Sequence, residues 1–229
     1  MDVGFDDRRN CDEFCPGRRF GFRRKACSSD WRSMEKEMAR HYGDRVRISS
    51  LFKSAVLVPL LTVAGRPSLL LVEKRDDLPK HGGQIAFPGG KMEPYDKGPI
   101  ETALREFEEE TGLPSSEISV VDMLDPELTH TTGFVIVPVV GFLKNIDNLK
   151  KVKVDSNEIK RIIIFFLDDP NGSKFELETF ALSEGFSLLY PIYRLKSGVR
   201  IWGATARILL KIMANSGVYF KGALERRWL

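Results

Sequence analysis

The sequence predicts an α/β protein folded as an α/β/α sandwich. Short apolar, β-branched runs recur between turn signals from residue 55 to residue 167, as strands do. An amphipathic helix falls inside that series, over residues 99–111, and a second closes it, over residues 203–215. Helices placed both within and after a set of strands suggest a sheet covered on its two faces.

The elements follow in order. Residues 1–29 mix Gly, Arg, Cys and Phe without periodicity and read as a flexible basic tail. Within them, residues 18–25 interleave bases and aromatics, a pattern able to stack on single-stranded nucleic acid, though a solvated basic tail is the preferred reading. Residues 30–50 form a lead-in, where Asp30 can cap a helix that carries Trp31, Met34, Met38 and Tyr42 on one face. The main domain is expected over residues 51–217. Residues 55–63 and 69–73 flank Gly65-Arg66-Pro67 and read as a hairpin. Residues 84–87 form a short strand entering Pro88-Gly89-Gly90. Residues 118–124 and 134–143 read as strands around a polar loop that holds His130. Residues 144–155 look loop-like, 161–167 form a strand, and 175–186 fit neither template. Lys196-Ser197-Gly198 turns a second hairpin, and Gly217 is the expected stop of the final helix, leaving residues 218–229 as a tail.

Composition narrows the function classes. At 229 residues the chain is long enough for a sizeable core, and 42% hydrophobic with 29% charged residues is ordinary for a globular protein. A net charge of +3 gives no case for a nucleic-acid partner, and the apolar runs are too short to span a bilayer. Cys11, Cys15 and Cys27 make neither a disulfide framework nor a complete zinc site. The N-terminus has no secretory apolar segment, and its acids argue against a transit peptide. The chain ends in Arg227-Trp228-Leu229 rather than a peroxisomal signal. An intracellular protein is expected, with no compartment singled out among peroxisome, mitochondrion and cytosol.

The chemistry is concentrated between Gly89 and Leu113. Pro99 suits a first helical turn, Ile100, Ala103, Leu104, Phe107 and Thr111 share one face, and Gly112 can take the left-handed stop. The acids on this helix are poorly placed for stability. Glu106 and Glu110 lie four residues apart, about 40° around the axis, with Glu109 beside them. Like charges at that spacing repel by a few tenths of a kcal/mol. Acids in the last turns oppose the helix dipole, at about 0.3–1 kcal/mol each. A hard divalent cation such as Mg²⁺ or Mn²⁺ reverses both penalties, because it prefers carboxylate oxygens.

The run Arg105-Glu106-Phe107-Glu108-Glu109-Glu110-Thr111-Gly112-Leu113 resembles the core of the Nudix box. Gly90, then five residues, then Asp96 resembles its opening, with Asp for the usual Glu. Eight residues separate Asp96 from Arg105, one more than the usual seven. A subgroup resembling coenzyme A diphosphatases carries the same extra residue. Its upstream pattern is similar to this chain at His81, Gly83, Phe87, Pro88, Gly89 and Gly90, while Lys74, Arg75 and Pro79 stand where it has Arg, Ser and Arg. Residues 201–206 resemble its C-terminal signature.

The resemblance implies a Nudix-type α/β/α sandwich around a mixed β-sheet. It also implies hydrolysis of a nucleoside diphosphate linkage, with coenzyme A or acyl-CoA as the favoured substrate. Glu106, Glu110 and Glu109 would bind Mg²⁺ or Mn²⁺. Glu109, or failing that Glu106, would accept the proton of the attacking water, and Arg105 would orient a carboxylate. Gly89 and Gly90 would meet the phosphates, with His81, Lys91 and Arg75 as weaker contacts. His130 and Glu158 are further candidates. The partner is a small-molecule nucleotide, without membrane or nucleic acid. ADP-ribose, NADH, dinucleoside polyphosphates and capped RNA are alternative substrates, and a Nudix binding module without turnover is the alternative class.

Overall fold

A computed structural model of the chain describes residue 31 and residues 52–79, 81–129, 133–168, 174–183, 186–195 and 198–225. The expected helix after Asp30 lies outside these residues, except for Trp31, which is helical and buried. His130, the cysteines and the basic segment 18–25 also lie outside them.

Two long strands form the centre. β1 (Phe52–Val63) and β2 (Arg66–Lys74) are an antiparallel hairpin. Its turn is Ala64–Gly65, with φ of 50° and 78°, so Arg66 and Pro67 already belong to β2 instead of turning the chain. β3 (Ile85–Ala86) pairs with β2, and β4 (Gly89–Lys91) pairs with the first half of β1. The Gly-Gly segment beyond the short strand expected over residues 84–87 is thus itself a strand. β5 (Ile118–Met123) and β6 (Glu127–Leu128) both pair with β7 (Phe134–Leu143). β7 runs parallel to β1, from Phe52 opposite Phe134 to Leu60 opposite Phe142. β8 (Ile159–Phe166) lies antiparallel to β2. The eight-stranded sheet is therefore mixed. The ambiguous stretch near residue 180 is a second, three-stranded antiparallel sheet of β9 (Lys174–Ser183), β10 (Phe186–Arg194) and β11 (Arg200–Ile201). Residues 144–155, expected as loop, hold the 3₁₀ helix Ile146–Lys151, started by the Asn145 side chain accepting from the Asp147 N–H at 2.9 Å.

The apolar runs of β1 and β2 are continuous because both faces are covered. Ala55, Leu57, Leu70 and Val72 face helix α1 (Pro99–Thr111), packing with Ala103 and Phe107. Val58, Leu60, Leu69 and Leu71 face helix α2 (Gly203–Glu225), packing with Ile208, Leu209 and Ile212. This is the α/β/α sandwich. No helix among the described residues is long and apolar enough to cross a membrane.

α2 continues through Gly217 to Glu225, so the expected stop and the tail that followed it are corrected. A glycine inside a helix costs about 1 kcal/mol relative to Ala. The contacts beyond it outweigh that cost. The Tyr219 hydroxyl donates to Asp122 on β5 at 3.0 Å, and Phe220 is buried edge-on against Phe142 on β7, with centroids 5.8 Å apart.

α1 ends as its sequence suggests. Gly112 has φ 67°, and its N–H donates to the Glu108 carbonyl at 2.8 Å. A Cβ here would also lie 2.5 Å from the Lys153 carbonyl oxygen, so glycine is required twice over. The buried stripe of α1 is broader than the expected face and takes in Thr102 and Glu110. Phe107 is its largest fully buried side chain. Phe107→Ala is expected to destabilise the fold by about 3–5 kcal/mol in urea unfolding; a loss under 1 kcal/mol would show that α1 does not depend on this contact.

Candidate active site

The site is the line along which α1 meets β4. β4 has no side chains at its first two positions, and the Glu106 carboxylate of α1 occupies the space at the second, Gly90. A Cβ on Gly90 would stand 2.5 Å from the Glu106 carboxylate, and a Cβ on Gly89 would collide with the backbone of Ala55 and Val56 on β1. The Gly89 N–H donates to Glu110 at 3.2 Å. Gly90 thus makes room for Glu106, while Gly89 lets β4 lie close on β1 and turns its N–H to Glu110.

Arg105 fixes the arrangement. Its Nε and Nη2 donate to the two oxygens of Asp96 at 3.2 and 2.9 Å, and Nη2 also donates to the Lys91 carbonyl at 2.9 Å. Its Nη1 donates to Glu106 at 2.9 Å and to Glu109 at 3.0 Å. Asp96 in turn accepts from the Glu93 N–H at 2.9 Å and the Thr102 hydroxyl at 3.1 Å. Burial pushes the Asp96 carboxyl up, but Arg105 and these donors outweigh it and hold it below the usual range. Asp96 is consequently an anchor for Arg105.

Glu110 is the buried acid of the group, only 5% exposed. Its Oε1 accepts from the Lys74 ammonium at 2.8 Å. Burial pushes its pKa up to about 6, against the opposing pull of Lys74 and the Gly89 N–H, and with a further push from Glu106. Burial also raises Glu106, opposed chiefly by Arg105. Lys74 has a second partner, Glu158 at 3.2 Å, which sits just before β8. Burial lowers the lysine, yet the two carboxylates prevail and raise its pKa.

Asp96, Glu106, Glu109, Glu110 and Glu158 are therefore held together by the two cations Arg105 and Lys74. Anionic charge remains in excess, part of it desolvated, which suits a divalent cation. Among the described residues no three acidic, His or Cys groups converge closely enough to enclose a metal by themselves.

The structure brings Arg105, Glu106, Glu109, Glu110, Gly89 and Gly90 together. Glu158 joins them through Lys74, whereas His81, Arg75 and the Lys91 ammonium are turned elsewhere. His81 (φ 63°) is exposed, with Nδ1 3.0 Å from the Gln84 amide oxygen. Arg75 is bound to both oxygens of Asp77, at 2.8 and 2.6 Å, and to the Ser156 carbonyl at 2.7 Å. Lys91 contributes its carbonyl to Arg105, while its ammonium lies 5.5 Å from the ring centroids of both Phe52 and Phe134. Lys74 stood out only as a departure from the resembling pattern, and nothing in the sequence pointed to Thr102. Lys74 reaches Glu158 only through the pairing of β2 with β8, and Thr102 is one residue off the apolar stripe.

The raised Glu110 predicts a pH dependence in metal-free protein. Its folded pKa of about 6 exceeds the ordinary glutamate value of 4.5, so the folded state binds the proton more tightly than the unfolded chain. Glu110 then destabilises the fold above pH 6, by about 2 kcal/mol at most, and the penalty fades as pH falls toward 4.5. Urea unfolding in EDTA is expected to show this gain between pH 7 and 4.5 in wild type and a flatter profile in Glu110→Gln. Parallel profiles would mean that Glu110 is not strained by burial.

The NUDIX domain family matches residues 51–179, more than half of the chain. The uncharacterised Nudix hydrolase NudL from Yersinia enterocolitica is 48% identical over 90 residues, covering 39% of this chain and 45% of that protein. NudL of Yersinia pestis is 45% identical over 91 residues, covering 40% and 45%. The chain thus spans less than half the length of these curated relatives. Among solved structures, a MutT/nudix family protein from Enterococcus faecalis aligns with 80% of this chain and 68% of its own, at 17% identity and a TM-score of 0.47. The Ap4A hydrolase of C. elegans, in a binary complex, aligns with 52% and 82%, at 22% identity and a TM-score of 0.42. With its box helix, its glycine strand and a family match over most of the described sheet, this chain belongs to the NUDIX family.

Proposed function

We propose that the protein is a metal-dependent hydrolase of a nucleoside diphosphate linkage. The observation that carries this reading is the convergence of Glu106 and Glu110 on Gly89 and Gly90, where no side chain shields the backbone. Glu106 and Glu110 would hold Mg²⁺ or Mn²⁺, with Glu109 at the solvent side. When bound, such an ion neutralises charge on the diphosphate and acidifies water. Glu109, with its side chain 56% exposed, is the group that meets the attacking water and accepts its proton. Arg105 keeps Glu109 and Glu106 in place through Nη1 and does not itself need to touch the substrate. Lys74 orients Glu110 and Glu158, and Glu158 supplies a further acid at the rim.

The favoured substrate is coenzyme A or an acyl-CoA, cleaved by water at the diphosphate to give 3′,5′-ADP and (acyl-)4′-phosphopantetheine. The extra residue between Asp96 and Arg105 and the segment from His81 to Gly90 support this choice. Hydrolysis of any diphosphate needs an acceptor for the proton of the attacking water, so the same residue roles serve ADP-ribose, NADH or dinucleoside polyphosphates.

A mass-spectrometric screen of these diphosphates with Mg²⁺ and Mn²⁺ tests the reading. Coenzyme A or its esters are expected to turn over fastest, and Glu110→Gln is expected to lose at least about 100-fold in kcat with its fold intact, as when a main electrostatic group is removed. Faster cleavage of another diphosphate would overturn the substrate. Wild-type rates in Glu110→Gln, or no turnover at all, would overturn the mechanism.

A further inference from the structure

Phe52 opens β1 and is 60% exposed. Its register partner on β7 is Phe134, and the two rings lie 5.3 Å apart at 36°. Lys91 on β4 pairs with Ser54, two residues along β1 from Phe52, so the three side chains form a row across β4, β1 and β7. The Lys91 ammonium is 5.5 Å from each ring centroid. A single exposed Phe is ordinary. A ring pair with an ammonium drawn up to it is a surface that takes a planar, electron-rich ring beside a negative charge.

The location gives the surface a ligand. Lys91 directly follows Gly90, whose backbone abuts Glu106, and its carbonyl is held by Arg105. Adjacent strand residues face opposite ways. Lys91, and with it the two rings, is accordingly on the opposite face of the sheet from Glu106. A nucleotide with its diphosphate at Glu106 and Glu110 can bend over this short strand and bring its base to the rings. None of the catalytic roles above uses Phe52 or Phe134.

We propose that Phe52 and Phe134 form the stacking subsite for the base of the nucleotide, with Lys91 receiving a phosphate or a base acceptor beside it. The subsite rests on the diphosphatase reading of the neighbouring edge.

The test is calorimetric titration of the full chain, in Mg²⁺, with ADP and with inorganic pyrophosphate as the base-free control. Wild type is expected to bind ADP more tightly than pyrophosphate. Phe52→Ala and Phe134→Ala are each expected to weaken ADP about 5- to 100-fold, the range of base stacking on an aromatic ring, with pyrophosphate changed less than about 2-fold. Phe52→Trp is expected to keep ADP affinity and to show quenching of its added indole fluorescence. Equal ADP affinity in wild type and both alanine variants, with melting temperatures unchanged, would overturn the subsite. Wild type that binds pyrophosphate but shows no preference for ADP would overturn the subsite alone. Binding of neither ligand would overturn the diphosphate reading, and the subsite with it.

Discussion

The Arg105 guanidinium is the constraint on which the site depends. A guanidinium has five N–H groups in a rigid fork. Arg105 uses all five: two on Asp96, one on the Lys91 carbonyl, one on Glu106 and one on Glu109. Two of its partners lie in the segment from β4 to α1 and two on the helix itself. One side chain therefore ties the strand, the loop and the acid-bearing face together. A lysine in its place has only three donors and no planar fork, and could not satisfy these partners together.

Around that clamp the chain accepts unfavourable local terms. Glu110 is buried with its pKa pushed up to about 6, and α1 carries no basic residue in its last turn to match its dipole. Lys74 offsets part of this by bridging Glu110 to Glu158. The stable remainder of the molecule, two apolar cores on either side of the mixed sheet, holds the strained edge in place. Stability sacrificed locally while the surroundings are well packed is the expected pattern at a functional site.

Much of this was legible in the sequence, for physical reasons. β1, β7 and β8 show long β-branched runs, and α1 combines a 3.6-residue period with Pro99 and Gly112 as its ends. The three box acids stood out because they repel one another and oppose the helix dipole, and Arg105 because it completes the resemblance to the Nudix box. Elements fixed by distant partners were not. Gly89–Lys91 becomes a strand only through β1, and Glu127 is buried only because Arg207 and Lys211 of α2 meet it at 2.6 and 2.5 Å. α2 outruns Gly217 because Asp122 and Phe142 lie across the sheet to receive Tyr219 and Phe220. Lys74 and the Phe52–Phe134 pair depend on strand register that no local pattern encodes.

The claim beneath the whole arrangement is that α1 carries these acids in order to hold a divalent cation. Isothermal calorimetry of the folded protein with Mg²⁺ and Mn²⁺, with and without a nucleotide, measures it directly. Uptake by wild type and its loss in Glu106→Gln is the expected result. No uptake of either metal under either condition would contradict it.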